Sequence, residues 1–307
     1  MADAPRRIMV TGADGFVGRH LMRALAAAFP GAELAPAAFD VTDAPAVEAG
    51  IAAAPPDALV HLAAVAAIPA ARQDPDRAWR VNLGGTLNLA RAVLAHAPAC
   101  TFVFSSSADI YGASFRAGRP LDEAALPAPM NTYAATKAAA DLALGAMAAD
   151  GLRAVRVRAF NHTGPGQAPE FVVAAFAEQV ARIAAGLQPP VLRVGDLTPH
   201  RDFLDVRDVC AAYAACVRVG AALPPGTVLN IASGQPRRVG DVLQALLDAA
   251  GVQAQPQTDA ARLRPSDIPL AAGDAGLARR LLGWAPAIPW AQTVADVLAD
   301  WRTRLQP

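Results

Sequence analysis

Lysine is almost absent from this chain. The sequence has 27 basic residues in 307 positions, and Lys137 is the only lysine among them. On a solvated surface arginine and lysine each supply one positive charge, but only lysine offers a compact ammonium on a flexible stem. A site at position 137 that requires an ammonium would explain the exception. The alternative is that one lysine persisted there by accident.

Charge of either sign and cysteine are also limited. The formal net charge is zero and the arginines are scattered, so neither nucleic acid nor an anionic membrane is an expected partner. The three cysteines, Cys100, Cys210 and Cys216, are an odd number without metal-ligand spacing. We expect buried free thiols and no bound metal.

The chain also lacks a long apolar run. The alanine-rich stretch at residues 44–71 is interrupted by Glu48, Pro55 and Asp57, well short of a membrane span. The amino terminus leads directly into a strand, without the apolar core and cleavage site of a signal peptide. We therefore expect a cytoplasmic protein whose partners are small molecules.

Short β-rich runs alternate with helical patterns through the first half of the chain. Strands are predicted at residues 7–10, 33–35, 57–62, 101–105 and 153–160, with helices at residues 15–28, 83–96 and 132–149. This alternation is typical of an α/β fold, with a parallel sheet covered by helices on both faces.

The alternating pattern ends after residue 160, in a loop rich in glycine and proline. We predict a nucleotide-binding domain at residues 1–160 and a smaller, mainly substrate-binding C-terminal domain at residues 161–307. A segment near residues 203–232 is expected to return to the first domain.

A glycine-rich turn joins the first strand to the first helix. Gly12, Gly15 and Gly18 allow the turn, let the backbone approach a pyrophosphate, and let the helix pack close to the strand. Because the turn lies between a strand and a helix, it predicts a Rossmann-like dinucleotide site. The contacts expected there are Gly12, Asp14, Gly15, Phe16, Val17 and Gly18.

The choice between NADP and NAD is not readable from the sequence. The end of the second predicted strand, residues 33–36, offers neither a clear ribose-binding acid nor a phosphate-binding arginine. Asp40 and Val41 are predicted to lie beside the adenine. A helix-capping role for Asp40 or Thr42 is an open alternative.

A catalytic group is predicted around the lone lysine. Tyr133 and Lys137 are four residues apart on a helix and therefore share one face. An ammonium near the phenol should lower the pKa of Tyr133 toward neutrality, which would make it a usable general acid or base. Ser107 follows a strand at the carboxyl edge of the sheet and could bond the reacting oxygen. Its alternative role is turn formation.

Several motifs extend this pattern along nearly the whole chain. They are TGADGFVG at residues 11–18, HLAA at 61–64, VNLGGT at 81–86, SSADIYG at 106–112, YAATK at 133–137, RDFLDV at 201–206 and GWAP at 283–286. Together they resemble the extended short-chain dehydrogenase/reductases that act on nucleotide sugars. The resemblance implies NADP or NAD as cofactor, held by Tyr133 and Lys137 as well. It implies further cofactor contacts at Leu62, Ala63, Ala64, Asn82, Ser105 and Phe160.

Within that family the segments FNHTGPGQ at residues 160–167 and RVGD at 193–196 are similar to the GDP-6-deoxy-D-mannose reductases. This likeness implies NAD(P)H-dependent reduction of the C4 keto group of GDP-4-dehydro-6-deoxy-D-mannose to GDP-D-rhamnose. It also implies a homodimer that pairs through the helix bearing Tyr133 and its neighbour.

The same likeness implies a set of contacts to the nucleotide sugar. Arg201 would clamp the diphosphate, Arg264 would hold phosphate or ribose, and Leu192 and Val194 would flank the base. Any single arginine could equally be a solvated surface charge. The complete set of implied substrate contacts is Ser107, Asp109, Asn161, Val172, Leu192, Val194, Arg201 and Arg264.

Two other activities use the same scaffold, and a non-catalytic dinucleotide-binding regulator is a remote third alternative. A 4,6-dehydratase of this kind would carry a polar or acidic residue and then glutamate directly after Ser107, where this chain has Ala108 and Asp109. Ala108 cannot transfer a proton, which favours simple reduction. A 4-epimerase would keep its NAD bound through the cycle, whereas a reductase must exchange it.

Overall fold

The computed structural model describes residues 4–263 and 268–306. Arg264, one of the implied substrate contacts, lies outside the described residues. Among them no helix is both long and apolar enough to cross a membrane. The side chains of Cys100, Cys210 and Cys216 are buried, as predicted.

A six-stranded sheet forms the centre of the molecule. All its strand pairs are parallel, and the strand order is β2-β1-β3-β4-β5-β9. The strands are β1 (Arg7–Thr11), β2 (Glu33–Pro36), β3 (Ala58–His61), β4 (Thr101–Ser105), β5 (Ala154–Ala159) and β9 (Thr227–Ile231). This arrangement confirms the predicted fold class.

Alternate residues of the central strands pack on opposite faces of the sheet. Ile8 and Val10 belong to one apolar core and Met9 to another, because successive side chains of a strand point to opposite sides. Helices cover both faces: α1 (Phe16–Ala28) and α8 (Val206–Val219) lie on one side, and α2 (Ala44–Ala53), α5 (Thr86–His96) and α6 (Thr132–Met147) on the other.

Residues 68–85 form short helical pieces, of which the periodicity predicted only residues 83–85. They are α3 (Ile68–Gln73), α4 (Pro75–Trp79) and a π-helical segment at Arg80–Gly85. Pro69 and Pro75 each lie in the first turn of a helix, where a missing N–H costs nothing. A 3-10 segment at Ala108–Ala117 follows β4.

A second group of elements surrounds a separate apolar core. Its helices are α7 (Val172–Ala184), α9 (Val239–Ala250) and α11 (Trp290–Arg304), with the shorter α10 (Gly276–Leu282) nearer the first core. Its strands are β6 (Asn161–Thr163), β7 (Val191–Val194), β8 (His200–Asp205), β10 (Pro236–Arg238), β11 (Gln255–Thr258) and β12 (Leu270–Ala271). The chain returns to the first unit between β8 and β10, since α8 packs beside α1 and β9 joins the central sheet.

Strand order creates a crevice at the carboxyl edge of the central sheet. The chain leaves β1 toward β2 on one side and then passes to β3 on the other side of β1. Loops that follow neighbouring strands therefore diverge, and such switch points are where open α/β sheets bind ligands. The turn after β1 and the loop after β3 both open into this crevice.

Candidate active site

The glycine turn after β1 has the geometry of a phosphate cradle. Gly12 has φ +70°, in the region that favours glycine, and a side-chain carbon there would lie 2.9 Å from the Ala63 backbone nitrogen. A side-chain carbon at Gly18 would collide with the carbonyl oxygens of Gly12 and Ala13. Helix α1 follows with Gly15 as its N-cap, and no acidic residue lies in its first turn. Its free N–H groups therefore fit the pyrophosphate of a dinucleotide.

A cavity of about 440 Å³ adjoins this turn. Four predicted cofactor contacts line it: Gly12, Asp40, Val41 and Ala63. Seven further residues also line it but were not predicted: Thr11, Ala37, Phe39, Thr42, Arg77, Arg80 and Val81. Three of those seven come from the unpredicted helical pieces at residues 75–82, so no sequence pattern had placed them beside the first strand.

The helix-capping role considered for Asp40 or Thr42 is wrong, because the N-cap of α2 is Asp43. Asp40 Oδ1 accepts hydrogen bonds from the Thr42 backbone nitrogen and hydroxyl, each at 2.8 Å, so Asp40 closes a local turn. These bonds, assisted by the positive charge of Arg77, lower the pKa of Asp40. Asp40 also lines the cavity.

A buried hydrogen-bonded row crosses the base of the crevice. The Thr86 hydroxyl donates to the Asn82 carbonyl at 2.6 Å, so His61 must donate from Nε2 to Thr86 at 3.0 Å. His61 Nδ1 then accepts from the Thr11 hydroxyl at 2.7 Å. Burial, with the nearby charge of Lys137, lowers the pKa of His61 to about 3, so the ring stays neutral. His61 therefore acts as a fixed spacer between strands and not as a titrating group.

Asn82, a predicted cofactor contact, connects the loop after β3 to α6. Its amide oxygen accepts from the Val65 backbone nitrogen at 2.8 Å, and its Nδ2 donates to the Thr136 hydroxyl at 2.9 Å. The Thr136 hydroxyl donates to the Tyr133 carbonyl at 2.8 Å. The structure thus gives Asn82 a bracing role that positions the first turn of α6.

Helix α6 carries Tyr133 and Lys137 on the face toward the end of β4. Its N-cap is Asn131, whose side chain accepts from the Ala134 backbone nitrogen at 2.9 Å. The Lys137 side chain is buried, and its Nζ lies 4.4 Å from the centre of the Phe104 ring on β4. The helix therefore brings both residues to the carboxyl edge of the sheet.

The three consecutive serines after Phe104 have three different partners. The Ser105 hydroxyl accepts from Tyr213 on α8 at 2.7 Å, and the Ser106 hydroxyl donates to Asp141 on α6 at 2.7 Å. Ser107 accepts from the Asp109 backbone nitrogen at 3.1 Å and hydrogen-bonds the Tyr133 side chain. Ser107 is thus the one of the three that meets Tyr133, and it also begins the 3-10 segment.

The pKa of Tyr133 is raised, which differs from the sequence-based expectation. Burial of the phenol is the main cause, and the nearby Asp109 carboxylate adds to it, while the Ser107 hydrogen bond opposes both. The Lys137 ammonium lies against the Phe104 ring. Tyr133 is therefore a neutral phenol at pH 7, able to donate a proton.

The pKa of Lys137 is lowered from 10.5 to about 7. Burial disfavours its charged form, and the attraction of Asp141, four residues further along α6, only partly offsets this. The ammonium makes no hydrogen bond within residues 4–263 and 268–306, so its donors are free to bind the hydroxyls of a ribose.

Asp141 anchors α6 and was not predicted. Its carboxylate is fully buried and accepts from Arg156 at 3.0 Å and from Arg158 at 2.9 Å, both on β5, in addition to Ser106. Arg158 also donates to the Tyr111 hydroxyl at 3.1 Å. Two arginines at alternate positions of an otherwise apolar central strand were the available sequence signal for a buried anionic partner.

On the substrate side, the structure brings Asp109 and Arg201 into electrostatic contact. Burial raises the pKa of Asp109 and lowers the pKa of Arg201. The charge of each residue partly offsets the effect of burial on the other. Asp109 follows β4 in the first unit, and Arg201 lies on β8 in the second. The pair therefore lies between the two units, where a substrate would bridge them. Asn161 and Val172 are exposed, and they are the first residues of β6 and α7.

The side chains of three other predicted contacts pack in a core and do not line the cavity. Leu192 and Val194 pack in the second core, because β7 alternates and turns these two positions inward. This placement does not support the prediction that their side chains flank the base. Phe160 packs against Phe115 in the first core, with ring centres 6.0 Å apart, so it offers a ligand only its backbone.

Comparisons with known proteins give one consistent result. A family model described as "NAD dependent epimerase/dehydratase family" matches residues 8–232. GDP-6-deoxy-D-mannose reductase of Pseudomonas aeruginosa is 40% identical over 304 residues, covering 98% of this chain and 99% of that protein. UDP-glucose 4-epimerase of Azospirillum brasilense is 30% identical over 341 residues, covering 99% of this chain and 94% of that protein.

A solved structure shares the fold over nearly the whole chain. It is described as RMD from Pseudomonas aeruginosa complexed with NADPH and superposes with a TM-score of 0.90 at 37% identity. The match covers 98% of this chain and 100% of the solved one.

Proposed function

This chain belongs to the NAD dependent epimerase/dehydratase family, and we propose that it is an NAD(P)H-dependent nucleotide-sugar 4-ketoreductase. The proposed substrate is GDP-4-dehydro-6-deoxy-D-mannose and the product GDP-D-rhamnose. The 40% identity to a GDP-6-deoxy-D-mannose reductase over almost all of both chains supports this choice. The dinucleotide fits the glycine turn and the adjoining cavity described above.

The observation that carries the proposal is the protonated Tyr133 beside Ser107 and Lys137. Reduction of a ketone adds a hydride to carbon and a proton to oxygen, so the enzyme must hold a proton donor at that oxygen. Burial keeps the Tyr133 phenol protonated at neutral pH, as such a donor must be. An oxidation step would instead require a base at this position.

Each residue of the group has a defined role. The reduced nicotinamide supplies a hydride when it is bound. Tyr133 donates its proton to the C4 oxygen, and Ser107 stabilises that oxygen with a hydrogen bond. Lys137 holds the nicotinamide ribose through its free donors. Asp109 binds a sugar hydroxyl, and Arg201 neutralises the diphosphate with its planar fork.

A dehydratase role is less well supported by the site. Ala108 is buried and carries no ionisable group next to Ser107, so elimination of water would rely on Asp109 alone. A 4-epimerase role is a second candidate, because a 30% identical relative is a UDP-glucose 4-epimerase. Neither alternative consumes the cofactor, whereas reduction oxidises one NAD(P)H for each sugar converted.

This difference defines the test. Purified protein is incubated with GDP-4-dehydro-6-deoxy-D-mannose and NADPH or NADH, absorbance reports cofactor oxidation, and NMR identifies the sugar. We expect one cofactor oxidised per GDP-D-rhamnose formed. Absence of cofactor oxidation with this keto sugar would contradict the reductase assignment. NMR of a parallel incubation with a nucleotide sugar that still carries its C4 and C6 hydroxyls would then detect epimerisation or dehydration. Assembly as a homodimer through α6 stays a prediction, for which sedimentation of the same protein is the measurement.

A further inference from the structure

We propose that Arg77 and Arg80 form a subsite for the 2′-phosphate of NADP(H), so that the protein binds NADPH in preference to NADH. The inference deepens the proposed function, because it assumes that the cavity beside the glycine turn holds a dinucleotide. It assigns cofactor selectivity to residues of α4 and the π-helical segment and not to the second strand.

The two arginines line the end of the cavity at which we expect the adenosine half of the cofactor. Arg77 and Arg80 line it together with Asp40 and Val41, while Gly12 and Ala63 line it at the glycine turn. Since the turn takes the pyrophosphate, the end at Asp40 and Val41 takes the adenosine half of the ligand. A 2′-phosphate on the adenosine ribose would therefore lie within reach of both guanidinium groups.

Both guanidinium groups are available to bind a ligand. The two side chains are exposed, and in the described part of the chain neither forms a hydrogen bond or an ion pair. The less exposed Arg156 and Arg158 have a carboxylate partner in Asp141. Two free guanidinium groups at one wall of a cavity offer planar forks that suit phosphate oxygens.

The usual feature that favours NADH is missing from the end of β2. A carboxylate there would accept hydrogen bonds from the ribose hydroxyls and repel a 2′-phosphate. Strand β2 ends at Pro36, and Ala37, whose backbone nitrogen donates to the Val10 carbonyl at 2.9 Å, has no polar side chain. No carboxylate therefore stands at the strand end itself.

Asp40, four residues beyond Pro36, does not reverse this preference. One of its oxygens accepts both hydrogen bonds from Thr42, and Arg77 and Arg80 line the same cavity. Two cations against one carboxylate leave the cavity wall with net positive charge. A phosphate monoester carries nearly two negative charges at pH 7, so it gains more from this wall than a hydroxyl does.

The test compares two probes of the adenosine half of the cofactor, 2′,5′-ADP and 5′-AMP, by isothermal titration calorimetry. They differ only in the 2′-phosphate, so their affinity ratio measures the subsite without any sugar substrate. We expect the wild-type chain to bind 2′,5′-ADP at least about 10-fold more tightly, since charge-assisted contacts are worth roughly that much each. Arg77→Ala and Arg80→Ala should each reduce the ratio, and the double variant should bring it close to one.

Two further variants sharpen the result. Arg72→Ala removes an exposed arginine of α3 that does not line the cavity, so its ratio should match that of the wild type. Asp40→Asn removes the opposing charge but keeps an oxygen for Thr42, so its ratio should rise. The ratio of kcat/KM with NADPH to kcat/KM with NADH should rank the variants in the same order.

Equal affinity of the wild type for both probes would overturn the proposal, as would an unchanged ratio in the double variant. Failure of the proposed function gives a different pattern. A protein that prefers 2′,5′-ADP but does not reduce the keto sugar would retain the subsite and lose the reductase assignment.

Discussion

Replacing Lys137 by methionine should stabilise the protein in a manner that depends on pH. The two side chains have similar length, but methionine carries no charge to bury. A pKa lowered from 10.5 to about 7 means that the folded protein pays about 5 kcal/mol to hold the ammonium, relative to the unfolded chain. This cost is complete below pH 7, where Lys137 is protonated in both states.

The cost falls as pH rises through a defined window. Between about pH 7 and pH 10.5 the unfolded chain holds a proton that the folded protein has released, so wild-type stability increases with pH. Relative to the wild type, Lys137→Met should be more stable by about 5 kcal/mol at pH 6 and by about 2 kcal/mol at pH 9. Groups common to both proteins cancel in this difference.

The difference in unfolding free energy between the two proteins is measured by urea unfolding at a series of pH values from 6 to 9. Far-ultraviolet circular dichroism follows the unfolding. The reasoning about a buried, charged Lys137 would be refuted by either of two results. One is a variant no more stable than the wild type at pH 6, and the other is a difference that does not change with pH.

Three other substitutions test the site. Lys137→Arg keeps the positive charge but places a broad guanidinium against Phe104, so kcat should fall at least about 100-fold. Normal turnover would show that the site does not require a lysine. Tyr133→Phe removes the proton donor and should lower kcat by roughly 1000-fold, while fluorescence titration shows NADPH affinity changed only a few-fold; full activity would exclude Tyr133 as the acid. Asp141→Asn leaves Arg156 and Arg158 without their anionic partner, so thermal unfolding should show a loss of about 3 kcal/mol in stability. The exposed control Asp150→Asn should not lose stability. Equal melting temperatures of the two variants would argue against a stabilising role for Asp141.

Local patterns were sufficient for the central sheet and the glycine turn. Apolar runs such as residues 58–60 and 102–104 predict strands buried on both faces, and the structure places them in β3 and β4. Glycines at positions 12 and 18 are required by a close approach of backbone to backbone, which leaves no room for a side chain. Both features depend on a few neighbouring residues, and therefore they can be recognised from the sequence.

The helical pieces at residues 68–82 were beyond such patterns. They are short and contain proline, and their stability comes from packing against α6 and from the Asn82 bonds to Val65 and Thr136. Short helices depend on tertiary contacts because nucleation is costly. Arg77 and Arg80 were missed for the same reason.

The sequence by itself determined the chemistry of this protein: a dinucleotide turn, a tyrosine and a lysine on one helix face, and a serine at a strand end. Tertiary structure decided which serine meets Tyr133, since Ser105 and Ser106 are taken by Tyr213 and Asp141. It also decided the protonation of Tyr133 and Lys137. A pKa depends on burial and on charges brought from distant parts of the chain, and these exist only after folding.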